Sequence, residues 1–101
     1  MAQHVIETVM FKLNAGENAA GFVEAAKAMG SWVQSQPGFL HRRLSCTEDG
    51  TWIEHIEWSD MEAAQAAAAQ IGAEPGNADF LKAIDGPTVK MMHSHLEVTL
   101  D

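Results

Sequence analysis

Lysine and arginine are scarce in this sequence. Its 101 residues include 6 Lys and Arg residues against 14 Asp and Glu residues, which gives a formal net charge of -8 at pH 7. The few cations do not form a basic stripe anywhere along the chain. Nucleic acids and anionic lipids bind to clustered cations. We therefore expect neither nucleic acid nor a membrane as a partner.

The sequence also lacks a second cysteine and a long apolar run. Cys46 alone cannot form an internal disulfide. The opening residues MAQHVIETV have no basic region and no long apolar core, and no run approaches the roughly 18 apolar residues that span a bilayer. We expect a soluble, cytoplasmic protein. With 47% hydrophobic and 20% charged residues, the chain fits one globular domain over residues 1–101.

The spacing of apolar residues changes clearly once within residues 50–69. The apolar residues of TWIEHIEW form a set too short for a helix, which predicts a strand over residues 51–58. The residues SDME then match a capping-box motif, with Ser59 as the N-cap and Glu62 three residues later. The alanine-rich run after it predicts a helix. A strand therefore leads directly into a helix, with Trp58 at the junction.

The remaining segments complete a regular order of strands and helices. Strands are predicted over Val5–Leu13, Phe39–Thr47 and Val89–Leu100, and helices from Asn18 to about Ser35 and, capped by Asn77, over Ala78–Ile84. The order β-α-β-β-α-β, with an extra helical segment before the last strand, is that of the ferredoxin-like α+β fold. Right-handed crossovers place both main helices on one face of the sheet. Because the first and third strands are apolar on both faces, we expect a second copy to cover the other face.

Four segments carry a resemblance to a known superfamily. They are VIETVMFKLNAG, PGFLHRRL, WIEHIEWSDMEAAQAA and DGPTVKMMHSHLEV. Over nearly the whole chain they resemble the dimeric α+β barrel superfamily, first the antibiotic-biosynthesis monooxygenase (ABM) domain and then the stress-responsive α/β-barrel proteins. The resemblance implies a homodimer, a dimeric α/β barrel, with a small-molecule cavity in each protomer. The chain departs from the anthrone-oxidising members in having no tyrosine, whereas they place tyrosines around their substrate.

Glu54, Glu7 and Trp58 are the candidate catalytic residues. The resemblance implies that Trp58 lines the cavity, and Glu54 stands where anthrone-oxidising members carry an amide, four residues before the Trp. Both glutamates lie on otherwise apolar strand faces, where burial should raise their pKa and suit them to remove an acidic C–H or phenolic proton. Two alternatives stay open. Each glutamate pairs with Arg42, Arg43 or a histidine or points into a wet cavity, or Trp52 and Trp58 only fill the space beside a small-residue helix.

We expect the substrate to contact further side chains of these strands. The predicted substrate-binding residues are Trp52, Phe11, Val9, Ile56, Met91 and His93. His93 and His95 share one face of a strand about 7 Å apart, but His-x-His alone is a weak metal signal, so we predict no metal site. Haem-degrading relatives use an Asn on the first strand and a proximal His on the second helix. Here Glu7 or Val9 stands where that Asn would fall, and residues 61–71 contain no histidine. We therefore predict no cofactor.

Two functions of different class follow from these residues and the resemblance. One is a cofactor-independent monooxygenase acting on a small aromatic or polycyclic substrate, in which Glu54 or Glu7 removes a proton and the carbanion reacts with O₂. The other is a non-catalytic small-molecule-binding or stress-response protein that uses the same cavity. Convergence of Glu54, Glu7 and His93 on one cavity would favour the enzyme.

Overall fold

The fold is a four-stranded antiparallel sheet with its helices on one face. The computed structural model describes residues 3–101, so the first two residues of the predicted domain lie outside the described residues. The strands are β1 (Val5–Phe11), β2 (Phe39–Cys46), β3 (Trp52–Trp58) and β4 (Lys90–His95), and the helices are α1 (Ala19–Ala28), α2 (Gly30–Ser35), α3 (Met61–Gln70) and α4 (Ala78–Ala83). The strand order across the sheet is β2-β3-β1-β4. The predicted ferredoxin-like α+β order is confirmed, including the extra helix before the last strand.

The last strand is shorter than predicted. It ends at His95 instead of Leu100. β4 runs antiparallel to β1, which begins at Val5, so residues after His95 pass beyond the start of their partner. Beyond the paired strands, the Leu96 amide still donates to the His4 carbonyl oxygen at 2.9 Å, and the Gln3 side-chain amide donates to the Glu97 carboxylate at 3.3 Å. The strand pairing of β4 with β1 itself ends at His95, opposite Val5.

The long helix predicted to end near Ser35 is divided into α1 and α2. The division falls at Met29, immediately before Gly30, a weak helix former. The Val33 amide still donates to the Met29 carbonyl oxygen at 3.1 Å, so hydrogen bonding continues across the break. No helix within residues 3–101 is long and apolar enough to cross a membrane.

Two predicted helix caps are wrong. The N-cap of α3 is Asp60 and not Ser59, because the Ser59 amide still donates to the Gly38 carbonyl oxygen at 2.8 Å in a strand-like bond. The Asp60 carboxylate accepts from the Ala63 amide at 2.8 Å, which satisfies one of the free donors of the first turn. Asn77 precedes α4 without capping it with its side chain. The side-chain amide of Asn77 instead donates to the Ile71 carbonyl oxygen at 3.0 Å and so joins the end of α3 to α4.

One face of the central strand pair forms the core. The side chains that face the helices are Val5, Glu7, Val9 and Phe11 from β1, and Trp52, Glu54, Ile56 and Trp58 from β3. They pack with apolar residues of all four helices, among them Phe22, Met29, Val33, Ala64, Ala67 and Phe80. The strand period of two therefore brings two glutamates and two tryptophans together under the helices.

The opposite face of the sheet is called the open face below. No helix within residues 3–101 covers it. It carries Ile6, Met10 and Ile53, which are half-buried, beside the exposed His55 and the half-buried Glu57. The expected apolar character on both faces therefore holds for β1, whereas the second face of β3 mixes one isoleucine with polar residues.

The start of β2 lies against the junction of β3 and α3, and Gly38 makes this approach possible. Its φ of +85° is unfavourable for residues with a side chain. A Cβ at this position would also lie 2.5 Å from the Ala63 Cβ and 2.7 Å from the Ser59 Oγ. Both the backbone angle and the lack of space require glycine here.

We expect Gly38→Ala to destabilise the fold by about 3 kcal/mol or more, as it combines positive-φ strain with overpacking against α3. Gly50→Ala is the matched control, because Gly50 has a φ of +87° but open space around it. The control should lose only about 1–2 kcal/mol. Urea unfolding at equal protein concentration measures both variants, and equal losses would contradict the role of close packing at Gly38.

Candidate active site

A cavity of about 420 Å³ lies between the helix-facing side of the sheet and the helices. Seven of the predicted site residues line it, namely Glu7, Val9, Phe11, Glu54, Ile56, Trp58 and Met91. The helices and the segment before β4 supply the remaining wall, which includes Met29, Trp32, Val33, Ala67, Ala68, Ile71, Phe80, Leu81, Ile84 and Val89. The wall is apolar apart from the two carboxylates and two indoles. A cavity of this size and character suits a small, flat, largely apolar molecule.

Strand register places the two glutamates close together in this wall. Glu7 lies opposite Ile56 on one side and His93 on the other, while Val9 lies opposite Glu54. Glu7 and Glu54 are therefore diagonal neighbours on the same face of adjacent strands. Both are buried, at 6% and 4% exposure, so each needs a partner for its charge.

Glu7 is held by Trp58 and His93. The Trp58 indole N–H donates to the Glu7 Oε1 at 3.1 Å, and the His93 Nε2 lies 3.4 Å from the Glu7 Oε2. The His93 Nε2 is buried and makes no hydrogen bond to any of the described residues, so its proximity to Glu7 is its polar contact. Glu7, Trp58 and His93 thus form one cluster, in which Glu7 and Trp58 line the cavity and His93 stands behind the carboxylate.

Glu54 is held by Arg42. The Arg42 Nη2 donates to the Glu54 Oε1 at 2.8 Å and the Nε lies 3.1 Å from both carboxylate oxygens. The Arg42 Nη1 donates to the Ala26 carbonyl oxygen at 2.8 Å, and the guanidinium lies 5.7 Å from the centre of the Phe80 ring. Burial raises the pKa of Glu54, Arg42 opposes that rise, and the neighbouring Glu7 adds to it. The predicted alternative, in which this glutamate pairs with an arginine, is the arrangement found.

Trp52 and His93 do not line the cavity. The Trp52 ring packs edge-on against Phe22 at a centroid distance of 4.9 Å and is 7% exposed. Its predicted contact with substrate is replaced by a core contact, because α1 covers this end of β3. His93 reaches the cavity only through Glu7. The exposed His95 lies apart from this cluster, and among residues 3–101 no group of three His, Cys, Asp or Glu residues is arranged to hold a metal ion.

The residues that the helices contribute to the cavity wall are not among the predicted site residues. The alanines of α3 leave room above the sheet, and Ala67 and Ala68 form part of the wall. Phe80 of α4 and Met29 between α1 and α2 enclose it from other sides. The sequence predicts helices in these segments, but the spacing of their apolar residues does not indicate which strand residues the helices cover.

Comparisons with known proteins give structural neighbours only. No protein-family model matches the sequence, and no curated protein matches it. A mutant of SnoaB, a cofactor-independent oxygenase from Streptomyces nogalater, superposes with a TM-score of 0.78 at 22% identity over 98% of both chains. The chain has the fold of the ABM-type oxygenases.

Two further solved structures show the range of proteins with this ABM fold. A monooxygenase from the gene ActVA-Orf6 of Streptomyces coelicolor, in complex with nanaomycin D, matches with a TM-score of 0.64 at 17% identity, over 97% of this chain and 91% of the other. A haem-degrading protein from Mycobacterium tuberculosis matches with a TM-score of 0.65 at 20% identity, over 100% and 99% of the two chains. The ABM fold thus occurs in proteins of different activity, and the site must decide between them.

Breaking the buried Arg42–Glu54 pair should destabilise the fold strongly. Arg42→Met leaves Glu54 buried without a partner, and we expect a loss of about 3–5 kcal/mol at neutral pH. Arg43→Met is the control, because Arg43 is the exposed neighbour on the open face. It should cost less than about 1 kcal/mol. Urea unfolding compares the two, and equal losses would contradict a structural role for the pair.

The loss in Arg42→Met should also depend on pH. Without the guanidinium, burial raises the pKa of Glu54 further above its ordinary value of 4.5. The native state then binds a proton that the unfolded state releases, so stability falls as pH rises through that window. We therefore expect the loss to shrink as pH is lowered toward 4.5. A loss that stays constant between neutral and acid pH would show that Glu54 is not the cause.

Proposed function

We propose that this protein is a cofactor-independent monooxygenase that acts on a small aromatic or polycyclic substrate. The observation that carries the proposal is the Glu7 cluster, a buried carboxylate on the wall of an apolar cavity, oriented by an indole N–H and backed by an imidazole. The shared fold with cofactor-independent oxygenases supports the same reaction class. Glu7 acts as the base, Trp58 as its positioning residue and ring contact, and His93 as the group behind it.

The reaction needs only substrate and O₂. Glu7 removes a proton from an activated CH₂ group flanked by aromatic rings, and the electron pair remains on the substrate as a delocalised carbanion. The carbanion reduces O₂ and forms a C–O bond to give a hydroperoxide, which loses water to leave a carbonyl group. Overall the CH₂ group and O₂ become C=O and H₂O, so the electrons balance without a cofactor. Val9, Phe11 and Ile56 of the cavity wall hold the ring system against the strands.

Glu54 has a different role from Glu7 in this proposal. Its carboxylate makes three contacts with Arg42, so both of its oxygens are already engaged by the guanidinium. A carboxylate whose oxygens face a guanidinium is poorly placed to accept a proton from a substrate. Glu54 therefore shapes the cavity and its electrostatics, and Glu7 is the base.

We expect Glu7→Gln to reduce turnover of an anthrone by about 10²–10⁴-fold, because it removes the proton acceptor. Glu24→Gln carries the same change of charge at an exposed position of α1 and should keep full activity. Oxygen uptake and the absorbance of the quinone product measure the rate, and a melting curve checks that both variants are folded. Full activity in a folded Glu7→Gln variant would refute the assignment.

A non-catalytic binding protein is the second candidate. It is favoured by the Arg42–Glu54 pair, which commits one of the two candidate bases to structure. Such a protein would bind aromatic ligands in the same cavity without consuming oxygen. Saturable binding of anthrones with no oxygen uptake by the unmodified protein would establish this alternative over the enzyme.

We also infer that the functional unit is a homodimer packed through the open face. Ile6, Met10 and Ile53 lie on that face without cover from the described chain, and the segment after β4 leaves Val98 and Leu100 77% and 92% exposed. Burial of such surface by a second copy is the usual solution in small proteins.

Sedimentation should give about twice the chain mass of 11.0 kDa at micromolar concentration. Ile53→Glu places a charge in the proposed interface and should shift the protein toward the single chain. Gln34→Glu on the exposed side of α2 changes the charge equally and should leave the mass unchanged. A single-chain mass for the unmodified protein would refute the homodimer.

A further inference from the structure

The hydrogen-bonding side-chain atoms that the cavity offers are almost all acceptors. Its polar lining consists of the Glu7 and Glu54 carboxylates and the Trp58 and Trp32 indoles. The Trp58 N–H already donates to Glu7, and Trp32 is only half-buried. Among the described residues, no Lys, Arg, His, Asn, Gln, Ser or Thr lines the cavity. Apart from the Trp32 indole N–H, the donors must therefore come from the ligand.

Within residues 3–101, no cation lines the cavity to receive an anionic ligand. Arg42 is the basic side chain next to the cavity, and its contacts go to Glu54 and to the Ala26 carbonyl oxygen. Its side chain is 13% exposed and does not line the cavity. A carboxylate in the cavity would lose its water and lie beside two other carboxylates with no free cation to compensate it, which is unfavourable on both counts.

A cationic ligand gains little in return for its own desolvation. Glu54 is already paired with Arg42, and Glu7 has His93 at 3.4 Å and the Trp58 N–H at 3.1 Å. Both carboxylates are therefore partly compensated before a ligand enters. An uncharged molecule with a hydroxyl donor satisfies the free acceptor positions without burying a new charge.

We propose that Glu7 and Glu54 select the ligand by charge, so that the cavity takes uncharged hydroxylated aromatics and rejects aromatic carboxylates. This inference concerns the same cavity as the proposed function and rests on it for the aromatic class, but it does not require turnover.

Three naphthalenes of nearly equal size test the proposal by calorimetry at pH 7.5. 2-Naphthol offers a donor, 2-methoxynaphthalene offers none, and 2-naphthoate is an anion. We expect 2-naphthol to bind most tightly and 2-naphthoate at least about tenfold more weakly, as expected for a carboxylate placed beside like charges. Equal or tighter binding of 2-naphthoate, tighter binding of the cation 2-naphthylmethylammonium, or no binding of 2-naphthol would overturn it.

Two variants assign the selection to the carboxylates. Glu7→Gln removes one charge and supplies an amide donor, so the ratio of the naphthol and naphthoate affinities should fall severalfold. Glu54→Gln should act in the same direction, and a melting curve shows whether it stays folded with Arg42 unpaired. Glu24→Gln, exposed on α1, should leave the ratio unchanged. An unchanged ratio in Glu7→Gln would overturn the proposal.

The outcome is separable from that of the proposed function. If 2-naphthol binds more tightly than 2-naphthoate but no oxygen is consumed, the proposed monooxygenase activity is refuted and the selection by charge is retained. Oxidation of anthrones together with equal binding of 2-naphthol and 2-naphthoate keeps the enzyme and overturns the selection.

Discussion

The Arg42 guanidinium joins an edge strand, a central strand and a helix end around one buried carboxylate. It donates to Glu54 on β3 and to the carbonyl oxygen of Ala26 near the end of α1, and it lies beside the Phe80 ring of α4. Because a buried charge must be paired, this contact determines how the helices can cover the sheet at that point. The same contact gives the two glutamates of the cavity different surroundings. Glu54 becomes part of the structure, and Glu7 is left with an indole and an imidazole.

The cavity exists because α3 supplies small side chains above a strand face that carries large ones. Alanines at 64 and 67 are buried, whereas Trp58 and Phe11 rise from the sheet beneath the helices. A helix of leucines would fill the same space and gain stability by burying more apolar surface. The chain instead keeps an apolar space of about 420 Å³ beside two buried carboxylates, an arrangement that is costly for stability and typical of binding and catalytic sites.

Much of the fold could be predicted from the pattern of the sequence. β1 carries apolar side chains on both faces, and it does lie inside the sheet, between β3 and β4. The predictions failed where a local signal competed with a tertiary contact. Ser59 has the chemistry of an N-cap, but its amide is still held by Gly38, so the helix starts after Asp60. The alternation of Leu96, Val98 and Leu100 is that of a strand, but the pairing of β4 with β1 ends at His95, opposite Val5, the first residue of β1.

The candidate site was predictable only where it follows from the periodicity of the strands. The period of two along a strand places Glu7 with Val9 and Phe11, and Glu54 with Ile56 and Trp58, whatever the rest of the chain does. The sequence alone therefore determined the order of elements, the central position of β1 and the grouping of each glutamate with its apolar neighbours. Only the tertiary structure decided that Glu54 pairs with Arg42, that Glu7 meets Trp58 and His93, and that Trp52 lies under α1 outside the cavity. Those contacts depend on strand register and helix placement, and both are set by packing between distant segments.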